Sequence, residues 1–280
     1  MHADQAEGLR RIAADNMLRV VTVASATAGA GKTALAINLA AAIARSGREV
    51  LLLDGDTTKN TVSRRLAVMP AHDLLDVIHG SYPAGKATAI DGVSVLPVGR
   101  GAEAMTSLSR RDPEWLVRRF YRTEDASDVM IVDTPSRAPG CVWSAGSAAH
   151  DVLVLLRQSS ASLLANYALI KAMIRQLAIR RFSILVTGVP SDLEARVAFE
   201  KIARAAQRYL AVSLRYTGYV PNDDDVARAD ALGTCAVDAF PAAPAAVAFR
   251  EVARRLMGGS AVRLASADAE PFREVMKSDD

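Results

Sequence analysis

The sequence predicts a doubly wound, mostly parallel α/β sheet with helices on both faces, and three features carry that expectation. Runs of Val, Ile and Leu alternate with helix-length segments almost to the end of the chain. Those runs are continuously apolar rather than alternating with polar residues, as strands covered on both faces require. Small residues or carboxylates follow several of them, and the carboxyl ends of parallel strands are where such sheets gather ligands.

In chain order, strands are expected over Arg19–Ala24, Val50–Asp54, Val93–Pro97, Val129–Asp133, Val152–Leu156, Ser183–Thr187 and Leu214–Gly218. Helices are expected over Thr33–Arg45, Pro113–Arg122, Ser162–Leu177, Leu193–Leu210, Asp224–Leu232 and Ala245–Met257. The first helix carries the longest apolar stretch, Ala34 to Ala44, interrupted by Asn38. It is too short to span a bilayer and reads as a helix buried against the sheet. The Ala- and Pro-rich stretch Phe240–Ala246 reads as an approach loop to the last helix.

A chain of 280 residues, half hydrophobic and 23% charged, suffices for one large globular domain. That domain is placed at residues 17–258, between an N-terminal segment (1–16) and a tail (259–280). Net charge is only +3 and Lys and Arg are scattered, which disfavours nucleic acid as a partner. Cys141 and Cys235 form no CxxC and no metal-ligand cluster, which fits a reducing cytoplasm. His2, His72, His79 and His150 are isolated, so no metal site is expected from them. The first residues lack a hydrophobic signal core, so export is not expected.

The first strand runs into Ala26-Thr27-Ala28-Gly29-Ala30-Gly31-Lys32-Thr33. Small residues let successive backbone N–H groups converge on an anion, and the helix N-terminus that follows adds its positive end. Ala28, Gly29, Ala30, Gly31, Lys32, Thr33 and Ala34 would form the cradle, with Lys32 on the β- and γ-phosphates and the Thr33 hydroxyl on Mg²⁺. The pattern G-x-x-x-x-G-K-[ST] is missed only at Ala26. A chance Gly-Lys-Thr is disfavoured because strand and helix both fall where the motif needs them.

Two further strands end in carboxylates: Asp54-Gly55-Asp56 closes one and Asp133-Thr134-Pro135 another. Alone, each aspartate reads as a cap or a turn residue. Together with Lys32 and Thr33 they supply what phosphoryl transfer needs, carboxylates to hold Mg²⁺ and one to orient the attacking water.

These residues resemble the MinD/ParA class of P-loop ATPases, whose phosphate loop reads Lys-Gly-Gly-Val-Gly-Lys-Thr before an Asp-x-Asp strand end. Within that class the chain is most similar to the FlhG/FleN (YlxH) regulators of flagellar number. Asp4-Gln5-Ala6-Glu7-Gly8-Leu9-Arg10 is similar to their N-terminal Asp-Gln-Ala-x-x-Leu-Arg motif. Ala165-Asn166-Tyr167-Ala168-Leu169-Ile170-Lys171 resembles their Asp-Ala-Tyr-Ala-Leu-Ile-Lys segment, and Gly218-Tyr219-Val220-Pro221-Asn222-Asp223 their late Gly-x-(Ile/Val)-Pro-x-Asp turn. The likeness runs from about Asp4 to Met257.

The resemblance implies ATP and Mg²⁺ as cofactors. It assigns Asp54 and Asp133 to the Mg²⁺ shell, and Lys32 and Asp56 to catalysis, with Asp56 orienting water. It also implies docking of an FlhF-type signal-recognition GTPase through Gln5, Leu9 and Arg10. Asp4 and Glu7 make a capping-box-like start there, and Ala6, Leu9, Ile12 and Ala13 share a helical face. An ATP-dependent homodimer, a flagellar transcription activator as partner, and a cytoplasmic location with peripheral attachment at the inner membrane follow from the same likeness. The C-terminus matches a membrane helix poorly: Phe249, Val252, Ala253 and Leu256 read as core-facing, and the tail ends Asp279-Asp280.

Three departures bear on activity. The class's signature lysine, which reaches a partner's phosphates, aligns with Thr27. Arg137 stands at or beside a glycine that meets the γ-phosphate, either supplying the missing charge in cis or lying solvated in a degenerate switch. Thr187 replaces an asparagine that reads the adenine edge, exchanging a bifunctional amide for one hydroxyl. The reading is therefore an ATP-gated regulator of flagellar number or placement. Its rivals are a non-hydrolysing scaffold in the same pathway and a ParA-type partition or cellulose-synthesis ATPase.

Overall fold

A computed structural model of the chain describes residues 18–55, 61–79, 88–90, 92–101, 120, 127–135 and 151–258. Its strands are β1 (Arg19–Ala24), β2 (Val50–Asp54), β3 (Thr88–Ile90), β4 (Val93–Pro97), β5 (Val129–Asp133), β6 (Asp151–Arg157), β7 (Phe182–Thr187) and β8 (Leu214–Val220). They form one sheet in the order β3-β4-β2-β5-β1-β6-β7-β8. All pairings are parallel except β3 with β4. The expected doubly wound sheet is thus present, with an antiparallel edge that the apolar runs did not reveal.

The described helices are α1 (Lys32–Ala44), α2 (Val62–Arg65), α3 (Leu74–Ile78), α4 (Ser160–Leu177), α5 (Asp192–Leu210), α6 (Asp224–Ala231), α7 (Ala236–Ala239) and α8 (Pro244–Gly258). Alternate strand residues feed opposite cores. Val21, Val23, Leu52 and Ile131 pack with α1 and α8 on one face. Val20, Leu51, Leu53 and Met130 pack with Leu74 and Val77 of α3 on the other. Ile184 and Val186 of β7 pack with Ile170 of α4 and Ile202 of α5. Covering both faces is why the strands read as unbroken apolar runs.

Helix α1 is buried along nearly its whole length, as its composition predicts. Its alanines let the sheet and α8 approach closely, and its interior asparagine is satisfied. Asn38 donates to the Ala34 carbonyl (2.8 Å) and accepts from the Val237 N–H (3.1 Å), which ties α7 to α1. Phe249, Val252, Ala253 and Leu256 of α8 are buried, so that face belongs to the core.

Several boundaries differ from the sequence reading. Helix α1 begins at Lys32, and α8 begins at Pro244, inside the stretch read as an approach loop. Proline is accommodated there because the first turn needs no N–H from it. The helix expected at Pro113–Arg122 lies outside the described residues apart from Phe120, which is helical and buried. The N-terminal segment with Gln5, Leu9 and Arg10 and the tail beyond Gly258 also lie outside them.

Helices α4 and α5 both end on alanine in the left-handed region, Ala178 (φ 55°) and Ala211 (φ 52°). A Cβ is disfavoured there and glycine is the usual occupant. Ala178→Gly and Ala211→Gly should each stabilise the fold by about 0.5–1 kcal/mol, read as a rise in thermal midpoint.

The thiol of Cys235, at the start of α7, is pushed up to about 12 by burial. Its native pKa therefore lies above the unfolded value. The stability it contributes is complete below about pH 8.5 and fades as pH rises toward 12. In a Cys141→Ser background, an aromatic disulfide reagent at pH 8 should leave the native protein unlabelled and label it on unfolding.

Candidate nucleotide site

The site assembles at the carboxyl ends of the central strands. After β1 the chain turns through Ser25 to Gly31 and enters α1. The front of this loop is held by the turn between β6 and α4. The buried Ser25 hydroxyl donates to the Leu155 carbonyl (3.0 Å) and accepts from the Thr27 N–H (3.1 Å). The Ala26 N–H donates to Asn166 Oδ1 (3.0 Å), and Thr27 Oγ1 donates to Ser162 Oγ (3.0 Å). Gly29 (φ 68°) and Gly31 (φ 89°) then bend the backbone through a conformation that β-carbons resist, and Gly31 is the N-cap of α1.

Of the predicted cradle, Ala28, Gly29 and Gly31 are exposed, Ala34 is half-buried, and Ala30, Lys32 and Thr33 are buried. Thr33 Oγ1 donates to Asp133 Oδ2 at 2.7 Å. Asp133 is paired in register with Asp54 on the neighbouring strand, so the two predicted carboxylates lie side by side, both buried. Asp54 Oδ2 accepts from the N–H (3.2 Å) and hydroxyl (3.3 Å) of Ser63 at α2. The strand ends are locked together by the Gly55 N–H, which donates to the Asp133 carbonyl (2.9 Å). Thr134 Oγ1 donates to the Val23 carbonyl (2.7 Å), joining β5 to β1.

Thr33, Asp54 and Asp133 therefore offer only oxygen donors in one place, the donor set a hard cation such as Mg²⁺ takes. Thr33 comes from the first turn of α1, Asp54 from the end of β2 and Asp133 from the end of β5. Asp56 and Arg137 lie outside the described residues.

On the other side of the loop, toward β7 and β8, a cleft is lined by Gly29, Gly31, Arg157, Thr187, Gly188 and Asn222. Thr187 Oγ1 donates to the Ala30 carbonyl (3.4 Å), which places the predicted base-side residue against the phosphate loop. Asp223, at the cleft margin, spends its carboxylate on the N–H groups of Asp225 and Ala245 (3.0 and 2.9 Å). Ser162 and Arg157 belong to no motif, and Asn166 stands only within the segment Ala165–Lys171. The burial of Ser162 and Asn166 on the first turns of α4 becomes visible only in the fold.

Residues 21–236, most of the chain, match the family described as the CobQ/CobB/MinD/ParA nucleotide binding domain. The chain belongs to this nucleotide-binding family. It is 32% identical over 250 residues to the antiactivator FleN of Pseudomonas aeruginosa, covering 89% of each chain. Among solved structures it is similar to the MinD cell division protein of Aquifex aeolicus, with a TM-score of 0.65, 24% identity, and 86% of this chain and 98% of that chain covered. MinD of Pyrococcus furiosus superposes with a TM-score of 0.66 at 25% identity, covering 86% and 99%. The FlhG/FleN resemblance and the MinD/ParA fold expected from the motifs thus hold. Among the described residues no helix is long and apolar enough to cross a membrane.

Proposed function

We propose that the chain is a nucleotide-gated regulator of flagellar number or placement, binding ATP with Mg²⁺ in its divergent phosphate loop. The observation that carries the nucleotide reading is the Thr33–Asp133 hydrogen bond beside Asp54, on the turn that also bears Lys32. In this reading Lys32 holds the β- and γ-phosphates, Thr33, Asp54 and Asp133 hold Mg²⁺, and Asp56 orients water. The flagellar assignment rests on the likeness to FleN and the N-terminal motif.

Gating follows from the joined strand ends. Gly55 is bonded to Asp133, so a ligand that reorders one carboxylate loop acts on the other. The output is docking of an FlhF-type GTPase through Gln5, Leu9 and Arg10, with ATP-dependent pairing of two copies. The relative's designation as an antiactivator supports a flagellar transcription activator as a further partner. Such a regulator works in the cytoplasm, with transient attachment at the inner membrane.

A second reading, a non-hydrolysing scaffold in the same pathway, is favoured by one observation. Thr27, in place of the class's lysine, is hydrogen-bonded to Ser162 of its own chain and carries no charge across to a partner. A ParA-type partition role is opposed by the N-terminal motif.

Measuring Mg²⁺–ATP turnover beside nucleotide affinity separates the first two readings. Turnover that is stimulated by a second copy or by partner supports the gated ATPase, and tight binding without turnover supports the scaffold. Deleting residues 2–12 should abolish stimulation of the GTPase while leaving nucleotide affinity intact; undiminished stimulation would exclude docking through that motif.

A further inference from the structure

The strand that leads into the loop's partner turn places a cation at the nucleotide cleft. Arg157 is the last residue of β6 and lines the cleft with Gly29, Thr187, Gly188 and Asn222. Its backbone is fixed: the Arg157 N–H donates to Ser162 Oγ (3.0 Å), the same buried oxygen that meets Thr27 of the phosphate loop. Asn166 Nδ2 also donates to Ser162 Oγ (3.2 Å), so a single hydroxyl ties the arginine to the loop's front.

Its side chain is exposed and only loosely engaged. Nη1 donates to the Gly29 carbonyl at 3.4 Å, the long end of a hydrogen bond. Gly188 lies beside the guanidinium: a β-carbon there would stand 3.6 Å from Nη2, at ordinary contact distance. Among the described residues no carboxylate pairs with Arg157, and a guanidinium has five N–H donors in a planar fork suited to phosphate.

We propose that Arg157 is a nucleotide-contacting residue that pairs with the phosphate nearest the nucleoside, a cation supplied in cis to a loop whose own early position is the uncharged Thr27. This inference rests on the nucleotide reading above. Strand order sets which phosphate. Asp54 and Asp133 lie on β2 and β5, on one side of β1, whereas Arg157 lies on β6, on the other. The metal-binding carboxylates mark the terminal phosphate, so Arg157 faces the opposite end of the chain of phosphates. Its contribution is therefore shared by nucleoside diphosphates and triphosphates.

The test is titration of full-length protein with ADP and with a non-hydrolysable ATP analogue, both with Mg²⁺, at low and high salt. Arg157→Gln should weaken both ligands by a similar factor, about tenfold, and flatten the salt dependence. Arg157→Lys, which keeps the charge without the fork, should fall between. Thermal midpoints of the unliganded proteins should agree. Unchanged affinity in Arg157→Gln, with wild type binding and Lys32→Ala not, would overturn the inference and leave the nucleotide reading standing. A loss confined to the ATP analogue would overturn the assignment to the inner phosphate. Absence of binding by the wild type would overturn both.

Discussion

Lys32→Ala should weaken ATP binding about a hundredfold and remove any turnover, with the fold retained. The side chain leaves the first turn of α1 directly behind Gly31, whose left-handed backbone aims the helix start at the loop. A charge-assisted hydrogen bond to phosphate contributes roughly 1.5–3 kcal/mol, and a buried lysine spanning two phosphates makes more than one. Titration calorimetry reads the affinity, and a thermal melt checks the fold. Affinity within threefold of wild type would mean that the loop does not hold phosphate in the expected manner, whatever the family.

Gly55→Ala should both destabilise the protein and weaken its response to Mg²⁺. A β-carbon on Gly55 would be driven into the Asp133 carbonyl oxygen, the atom that accepts the Gly55 N–H. The obstacle is backbone, so no rotamer change relieves it, and the ends of β2 and β5 must separate. Overpacking of this kind costs typically 1–3 kcal/mol. The separation also spreads Asp54 and Asp133, which stand in register on those strands. A lowered denaturation midpoint together with weaker Mg²⁺-dependent nucleotide binding is the expected pair of results. A normal midpoint would show that the strand ends have slack, and would remove the mechanical link on which the proposed gating rests.

Strands β1, β2, β4 and β5 were legible because each is a short run of β-branched and aliphatic residues ending in a turn or an acid. Strand β3 was not: Thr88-Ala89-Ile90 is too short and too mild a sequence to stand out, and pairing with β4 makes it a strand. Helix α3 carries a local signal in its own sequence. Asp73 and Asp76 form a capping box across Leu74–Ile78, and Arg100 binds both carboxylates (2.8 and 2.9 Å). Burial alone would raise the Asp73 pKa, but hydrogen bonds from the Arg100 side chain and backbone outweigh it and hold Asp73 below the usual carboxylate range. Arg100 is distant in sequence, so only the fold shows why this helix of one turn persists.

Local sequence by itself determined the phosphate loop, the buried helix behind it and the carboxylates at the strand ends. Those features follow from backbone conformation, strand period and donor chemistry within a few residues, and a linear reading can weigh them. Tertiary structure alone decided which polar residues from elsewhere close on that loop. Ser162 and Asn166 reach Thr27 and Ala26 from across the chain, and Arg157 arrives with them because β6 lies beside β1. Strand order, set by packing of both apolar faces, makes these contacts, and hydrogen bonds between distant residues leave no periodic trace in the sequence.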